Sequence, residues 1–151
     1  LSEAQTGYIA GFIDGEGCLS IYKHKRICGH GSFNVTMRVT NTDESILYTL
    51  QEWTGLGRIG KRSPRKEFLY RKEQWEWTLN PSAIRELLPL IIPYLQIKRH
   101  AAELIIEFLG YKARTRGRHV TQMEIARCER IVENIRGLNK RAVPNNTKVI
   151  V

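Results

Sequence analysis

Ile9-Ala10-Gly11-Phe12-Ile13-Asp14-Gly15-Glu16-Gly17 is the stretch on which the fold turns. It begins as an apolar helical segment with small residues and ends on two carboxylates set between glycines. Gly7 and Gly11, one helical turn apart, leave a bare stripe along which another backbone can approach closely. Asp14 and Glu16 then put negative charge at a helix C-terminus, where the helix dipole disfavours it. Such an arrangement asks for a counter-charge, and a divalent cation suits oxygen donors of this kind. The residues alone leave a second reading open: a core helix with a glycine cap and two solvated acids.

Working outward, Ser2 with Gln5 three residues on is a capping-box pattern, which starts the first helix near residue 3 and runs it to about residue 14. Residues 18–26 alternate Leu19 and Ile21 against Ser20, Tyr22 and His24. Gly29 and Gly31 bracket a turn. Residues 32–40 then set Phe33, Val35, Met37 and Val39 against Ser32, Asn34, Thr36, Arg38 and Thr40. A period of two on both arms predicts a long hairpin with one core face and one polar face. Asn41 with Glu44 predicts a cap for a second helix carrying Ile46, Leu47, Leu50 and Trp53 and ending near Gly55. Two further strands are expected over residues 57–62 and 68–79, joined by an exposed turn at Ser63-Pro64-Arg65-Lys66. Asn80-Pro81 opens a third helix to about Leu88. A fourth is expected over residues 97–109, and a fifth from the Thr121/Glu124 cap to near Gly137, with a polar tail from Leu138 onward. The order is that of an α+β domain with one antiparallel sheet, spanning residues 1–151 as a single unit.

The chain of 151 residues is 42% hydrophobic and 26% charged, which suits a globular protein and excludes wholesale disorder. A net charge of +9 favours a polyanionic partner. No apolar run approaches the roughly 18 residues that span a bilayer, and the longest, residues 87–95, is broken by Pro89 and Pro93. Cys18, Cys28 and Cys128 are odd in number and widely spaced, and His24, His30, His100 and His119 are scattered. Neither set has zinc-ligand spacing, and the cysteines are expected to stay reduced inside a cell.

The nonapeptide resembles the signature of the LAGLIDADG homing endonucleases, matching it at every position or by a close substitution. A downstream stretch, Leu88-Pro89-Leu90-Ile91-Ile92-Pro93-Tyr94-Leu95-Gln96-Ile97-Lys98, resembles the family's later segment with its active-site lysine, and two hairpin-like regions lie between. One departure is Glu16, where Asp is commoner, although active members with Glu occur. The resemblance implies an αββαββα fold whose saddle-shaped antiparallel sheet lies on DNA, with helices following. It implies a metal at Glu16, joined by the carbonyl of Gly15, and a charge-stabilising role for Lys98. Asn41 falls where the family often has a water-positioning residue, though an Asn before a helix is ordinarily a cap.

The polar sheet face then becomes the expected DNA surface: Ser20, Tyr22, His24, Arg26, Ser32, Asn34, Thr36, Arg38, Thr40, Lys61, Arg62, Lys72, Gln74 and Glu76. Such side chains can pair with base edges, and a β-ribbon fits the major groove. An ordinary solvated sheet face would look the same without the acidic motif. The basic residues Lys61, Arg62, Arg65, Lys66, Arg71 and Lys72, with Lys112, Arg114, Arg116 and Arg118, are expected at phosphates.

One motif copy supplies one acid, whereas cutting two strands requires two. The expected assembly is a homodimer with Gly7, Tyr8, Gly11, Phe12 and Asp14 at its interface. Mg²⁺ is the implied cofactor, with Mn²⁺ substituting and Ca²⁺ binding without supporting cleavage, and no small-molecule cofactor. Double-stranded DNA would be cut at a long pseudo-palindromic site to leave 3′ overhangs. The competing classes are a non-catalytic nucleic-acid binder of the same family, a maturase or regulator, and an unrelated basic RNA-binding protein. Retention of both Glu16 and Lys98 favours the enzyme. The expected setting is an organelle or a prokaryotic cytoplasm, with no membrane association.

Overall fold

Helix α1 (Glu3–Glu16) starts as its capping box dictates: the Ser2 hydroxyl accepts the Gln5 N–H and the Gln5 side chain accepts the Ser2 N–H. It buries Ile9, Ala10 and Ile13 and continues two residues past the expected end, through Gly15 and Glu16. In the computed structural model, residues 1–24, 32–62, 72–114 and 120–140 are described, and for 23, 24, 32, 113 and 114 the backbone alone. The expected turns at Gly29/Gly31 and at 63–66, the start of the strand at 68, and the tail beyond 140 lie outside the described residues.

Strands β1 (Gly17–His24) and β2 (Ser32–Asn41) pair antiparallel from Gly17↔Val39 to His24↔Ser32. Strands β3 (Arg58–Arg62) and β4 (Gln74–Leu79) complete a four-stranded antiparallel sheet in the order β1-β2-β4-β3. The alternation does what period two requires. Leu19, Ile21, Val35, Met37, Val39, Trp77 and Leu79 are buried beneath the helices, and the residues between them line the opposite face.

Helix α2 (Glu44–Thr54) is capped by Asp43, whose carboxylate accepts the Ser45 N–H, and not by Asn41 as expected. Asn41 instead ends β2 and accepts the Asp43 N–H at 2.9 Å, a local turn that delivers Asp43 to the cap. Gly55 closes α2 at φ 67°, the left-handed conformation that glycine adopts at no steric cost. Gly57, at φ 80°, leaves room that a Cβ would fill 2.4 Å from Trp77 Nε1, and that indole donates to the Leu56 carbonyl.

Helix α3 (Pro81–Ile91) runs past the expected stop at Leu88, with Pro89 inside it. Pro89 is exposed while Leu88 and Ile91 are fully buried, so core packing holds the last turn and the bond that proline forgoes is lost on the solvent side. A 3-10 turn (Ile92–Tyr94) leads to α4 (Arg99–Arg114), which begins two residues later than expected. Helix α5 (Gln122–Asn139) has the expected Thr121/Glu124 capping box and buries Ile131, Val132 and Ile135. All five helices contribute to one contiguous apolar core against the same sheet face.

Candidate functional site

The two ends of the long-range resemblance meet at the C-terminus of α1. Asp14 Oδ2 accepts the N–H groups of Gln96 at 2.6 Å and Ile97 at 3.2 Å, and Oδ1 accepts that of Lys98 at 2.9 Å. The Lys98 ammonium donates back to the Asp14 carbonyl. Lys98 accepts the Ala102 N–H and so stands at the entry of α4, where its own side chain has no acceptor to serve as a cap. Asp14, 84 residues away in sequence, serves instead. Asp14 as a residue is 9% exposed. Burial pushes the carboxyl upward, but the backbone donors of Gln96, Lys98 and Ile97 and the Lys98 charge outweigh it, leaving it below the ordinary value.

Asp14, expected at the dimer interface, faces the start of α4 in its own chain. Its counter-charge is the positive end of α4 together with the Lys98 ammonium.

Glu16 is different. It is exposed, as is Gly15, and both lie in the last turn of α1, where the helix leaves carbonyls without intrahelical partners. Gly17 is buried with an ordinary φ of −75°, so space and not conformation demands glycine: a Cβ there would lie 2.6 Å from the Ile13 carbonyl oxygen. That close approach turns the chain from α1 directly into β1. A carboxylate and a carbonyl are hard oxygen donors of the kind Mg²⁺ prefers, which it ordinarily completes with water and substrate phosphates. Among the described residues no group of three or more His, Cys, Asp or Glu is placed to hold a metal. Asn41 ends β2 with its Oδ1 held by Asp43 N–H.

The sheet's polar face carries a continuous rung across all four strands: Cys18 opposite Arg38, Arg38 opposite Thr78, and Thr78 opposite Arg58. Arg38 and Arg58 are exposed. Thr78 donates to Glu76 Oε1 at 3.2 Å, and Gly60 stands opposite Glu76. A shallow concavity there is lined by Arg58, Gly60, Arg62, Glu76 and Thr78. Ser20, Tyr22, Asn34, Thr40, Arg62 and Gln74 share this face, and Lys72 is exposed just before β4. Arg58, Thr78 and Cys18 were missing from the expected surface. Arg58 could have been found from its even spacing with Gly60 and Arg62.

Two expected members are misplaced. Thr36 is only 6% exposed and lies under Arg38, whose Nε is 3.5 Å from its hydroxyl, so it supports the surface and does not form it. Lys61 alternates to the helix-covered side with Ile59 and pairs with Glu73 at 2.6 Å. Lys112, expected at phosphates, donates to the Phe33 carbonyl at 2.6 Å and to Asn34 Oδ1 at 3.2 Å. The backbones of His24 and Ser32 pair within the sheet, their side chains and Arg114's lying outside the described residues, as do Arg26, Arg65, Lys66, Arg71, Arg116 and Arg118 entirely.

On the outer face of α1, Tyr8 is 48% exposed, stacked on Phe12 with centroids 6.1 Å apart and set edge-on to Trp53 at 5.7 Å. The Cβ position of Gly11 has nothing within 4 Å, nor has that of Gly15, whereas that of Gly7 would meet Tyr94 at 3.9 Å. The bare surface is thus centred on Gly11 and Gly15, one turn nearer the acidic end than expected.

The family model for LAGLIDADG endonucleases matches residues 9–102, from the α1 motif through Lys98, and the chain belongs to that family. A curated relative, the probable intron-encoded endonuclease Cox1-I1b of Schizosaccharomyces pombe, is 31% identical over 88 residues, which are 57% of this chain and 23% of that protein. Among solved structures, the homing endonuclease I-CvuI in complex with the I-CreI target superposes with a TM-score of 0.75 at 20% identity, covering 93% of this chain and 85% of that one. The archaeal intron-encoded homing endonuclease I-Vdi141I, complexed with DNA, gives 0.77 at 16% identity, covering 93% and 87%. I-GzeII, in complex with its DNA target, gives 0.66 at 18%, covering 87% of this chain but 43% of that one. At these identities the structural likeness is one of fold. Among the described residues no helix is long and apolar enough to cross a membrane.

Proposed function

We propose that this protein is a homodimeric, divalent-metal-dependent endonuclease that cuts both strands of a long pseudo-palindromic DNA site and leaves 3′ overhangs. The observation that carries the reading is the bond from Lys98 to the carbonyl of Asp14, which holds a cation and the exposed Glu16 at one end of α1. The polar four-strand face beside them and the net charge of +9 suit a long polyanion. The similar structures solved in complex with DNA and the intron-encoded endonuclease relative support the same substrate.

Glu16 and the Gly15 carbonyl would hold the metal, with Mg²⁺ or Mn²⁺ supporting cleavage and Ca²⁺ binding alone. I-CvuI complexes were solved with Mg, the DNA there not cleaved, and with Ca. Bound, the ion supplies positive charge that neutralises phosphate oxygens and lowers the pKa of water. Lys98 is half-buried and tied to α1, so its charge is fixed before substrate arrives and needs little reorganisation to meet developing negative charge. Asn41, with its oxygen committed to Asp43, would orient water through its amide nitrogen. One carboxylate per chain for two strands argues for two chains meeting along the Gly11/Gly15 face of α1. This chain covers 43% of I-GzeII, a ratio that suits two such units acting together.

Selection of sites from a randomised duplex library, with Mg²⁺ and with chelator, tests the reading. A symmetric consensus, cut only with the ion, is expected. A consensus bound but never cut would replace the enzyme by a non-catalytic binder.

A further inference from the structure

Lys112, in the C-terminal part of α4, lies beside the Phe33–Asn34 end of β2. Among the described residues β4 pairs with β2 from Met37 to Asn41, and Phe33 and Asn34 lie beyond that stretch. The Phe33 ring packs edge-on against Phe108 of α4, with centroids 6.1 Å apart. Residue 112, about one turn further along, is thereby brought beside this end of β2. Its ammonium reaches the Phe33 carbonyl and, past it, the Oδ1 of Asn34 on the polar face.

An ammonium donates and cannot accept, so it can bond this amide only through its oxygen. A flipped amide would set its NH₂ against the NH₃⁺ group. A solvent-facing asparagine would ordinarily present either atom, whereas Asn34 is left with its Nδ2 hydrogens for whatever lies on the polar face. The geometry points to Lys112 as a positioning residue that locks Asn34 into one amide orientation and makes it a reader of base acceptors. This rests on the polar face being the DNA surface. Guanine N7 and O6, thymine O4 and adenine N7 suit such a donor; the cytosine amino group opposes it. The two-bond contact with adenine also needs the oxygen, which Lys112 engages through one of its two lone pairs, and is weakened.

The test is a binding selection from randomised duplexes in Ca²⁺, using the full chain and its Lys112→Arg, Lys112→Met and Asn34→Asp variants. One symmetric position should favour guanine over cytosine by about tenfold in the parent. Lys112→Arg, still donor-only, should keep that ratio. Lys112→Met should cut it to about threefold or less and gain adenine, since the freed amide can turn. Asn34→Asp keeps a partner for Lys112 but exposes an acceptor, and should invert the preference to cytosine. If Lys112→Met does not fold, Lys112→Gln, which can offer either amide atom, carries the same decision.

Inversion by Asn34→Asp with an unchanged ratio in Lys112→Met overturns the positioning role and leaves the DNA surface standing. No change at any position in either variant removes Asn34 from the DNA surface, and the inference with it. Independently of DNA, the ¹⁵N relaxation of the Asn34 side-chain amide should be rigid in the parent and Lys112→Arg and mobile in Lys112→Met. Equal mobility in all three also overturns the lock.

Discussion

Asp14 and Lys98 hold each other in both directions: the Asp14 carboxylate accepts the Lys98 backbone N–H, and the Lys98 ammonium donates to the Asp14 backbone carbonyl. The pair welds the end of α1 to the start of α4. It thereby brings Lys98, far along the sequence, to the end of α1 that carries Glu16. The same carboxylate that looks misplaced at one helix's C-terminus is well placed at another's N-terminus.

Asp14→Asn should destabilise the fold by about 2 kcal/mol at neutral pH, since an amide sets a donor among donors that a charged acceptor had satisfied. The carboxyl's folded pKa lies below its ordinary value of 3.8. The folded state thus binds the proton more weakly than the unfolded chain, and the stabilisation is complete above 3.8 and lost as pH falls through the lower folded value. Urea unfolding of both proteins should show a gap that is constant above that region and closes below it. Equal stability at pH 7 would show that the weld carries no free energy.

How far could these features be read from the chain? The hairpin was legible because Phe33, Val35, Met37 and Val39 alternate without a break and bury as a set. The capping boxes at Ser2 and Thr121 were legible because both partners lie three residues apart. Asp43 was missed as a cap because Asn41 is equally competent chemically, and only the strand's length decides between them. Lys61 was misassigned because a five-residue edge strand whose burial alternates at Ile59 alone gives little parity signal. Asp14's role was invisible, since nothing local marks a carboxylate as the cap of a helix 84 residues away.

Gly11→Leu should leave the monomer no less stable, because a Cβ there meets nothing within 4 Å and the position is exposed. Replacing a mid-helix glycine also lowers helix cost by about 0.5–1 kcal/mol. In a dimer packed along α1 it should force the two helices apart. Sedimentation should then show monomers where the parent shows dimers, with double-strand cutting lost. A parent that sediments as a monomer with and without DNA would refute the two-chain site.

Arg38→Ala removes an exposed guanidinium from the middle of the four-strand rung, between Cys18 and Thr78. A bidentate arginine contact to guanine is worth about 1–3 kcal/mol, so preference should relax at one symmetric pair of positions by roughly that amount per half-site. Overall salt dependence should change little, since a base contact displaces few phosphate counterions. A site profile unchanged at every position would remove this face from the DNA.

Glu16→Gln separates enzyme from binder most sharply. The amide has nearly the same volume, and Glu16 is exposed, so fold and dimer should survive. Specific DNA binding should persist, and without divalent ions it should strengthen, because two carboxylates near the phosphates lose their charge. Hydrolysis should fall by several powers of ten, as an anionic oxygen donor is lost where charge must be neutralised. Lys98→Met should also lose cleavage while retaining metal binding, and in addition it removes the bond to the Asp14 carbonyl, so a modest loss of stability accompanies it. The two variants are compared on one selected duplex with Mg²⁺, with Ca²⁺ and with chelator, measuring binding and cutting separately. Undiminished Mg²⁺-dependent cutting by Glu16→Gln would exclude Glu16 as the metal-holding acid, whatever Lys98→Met does.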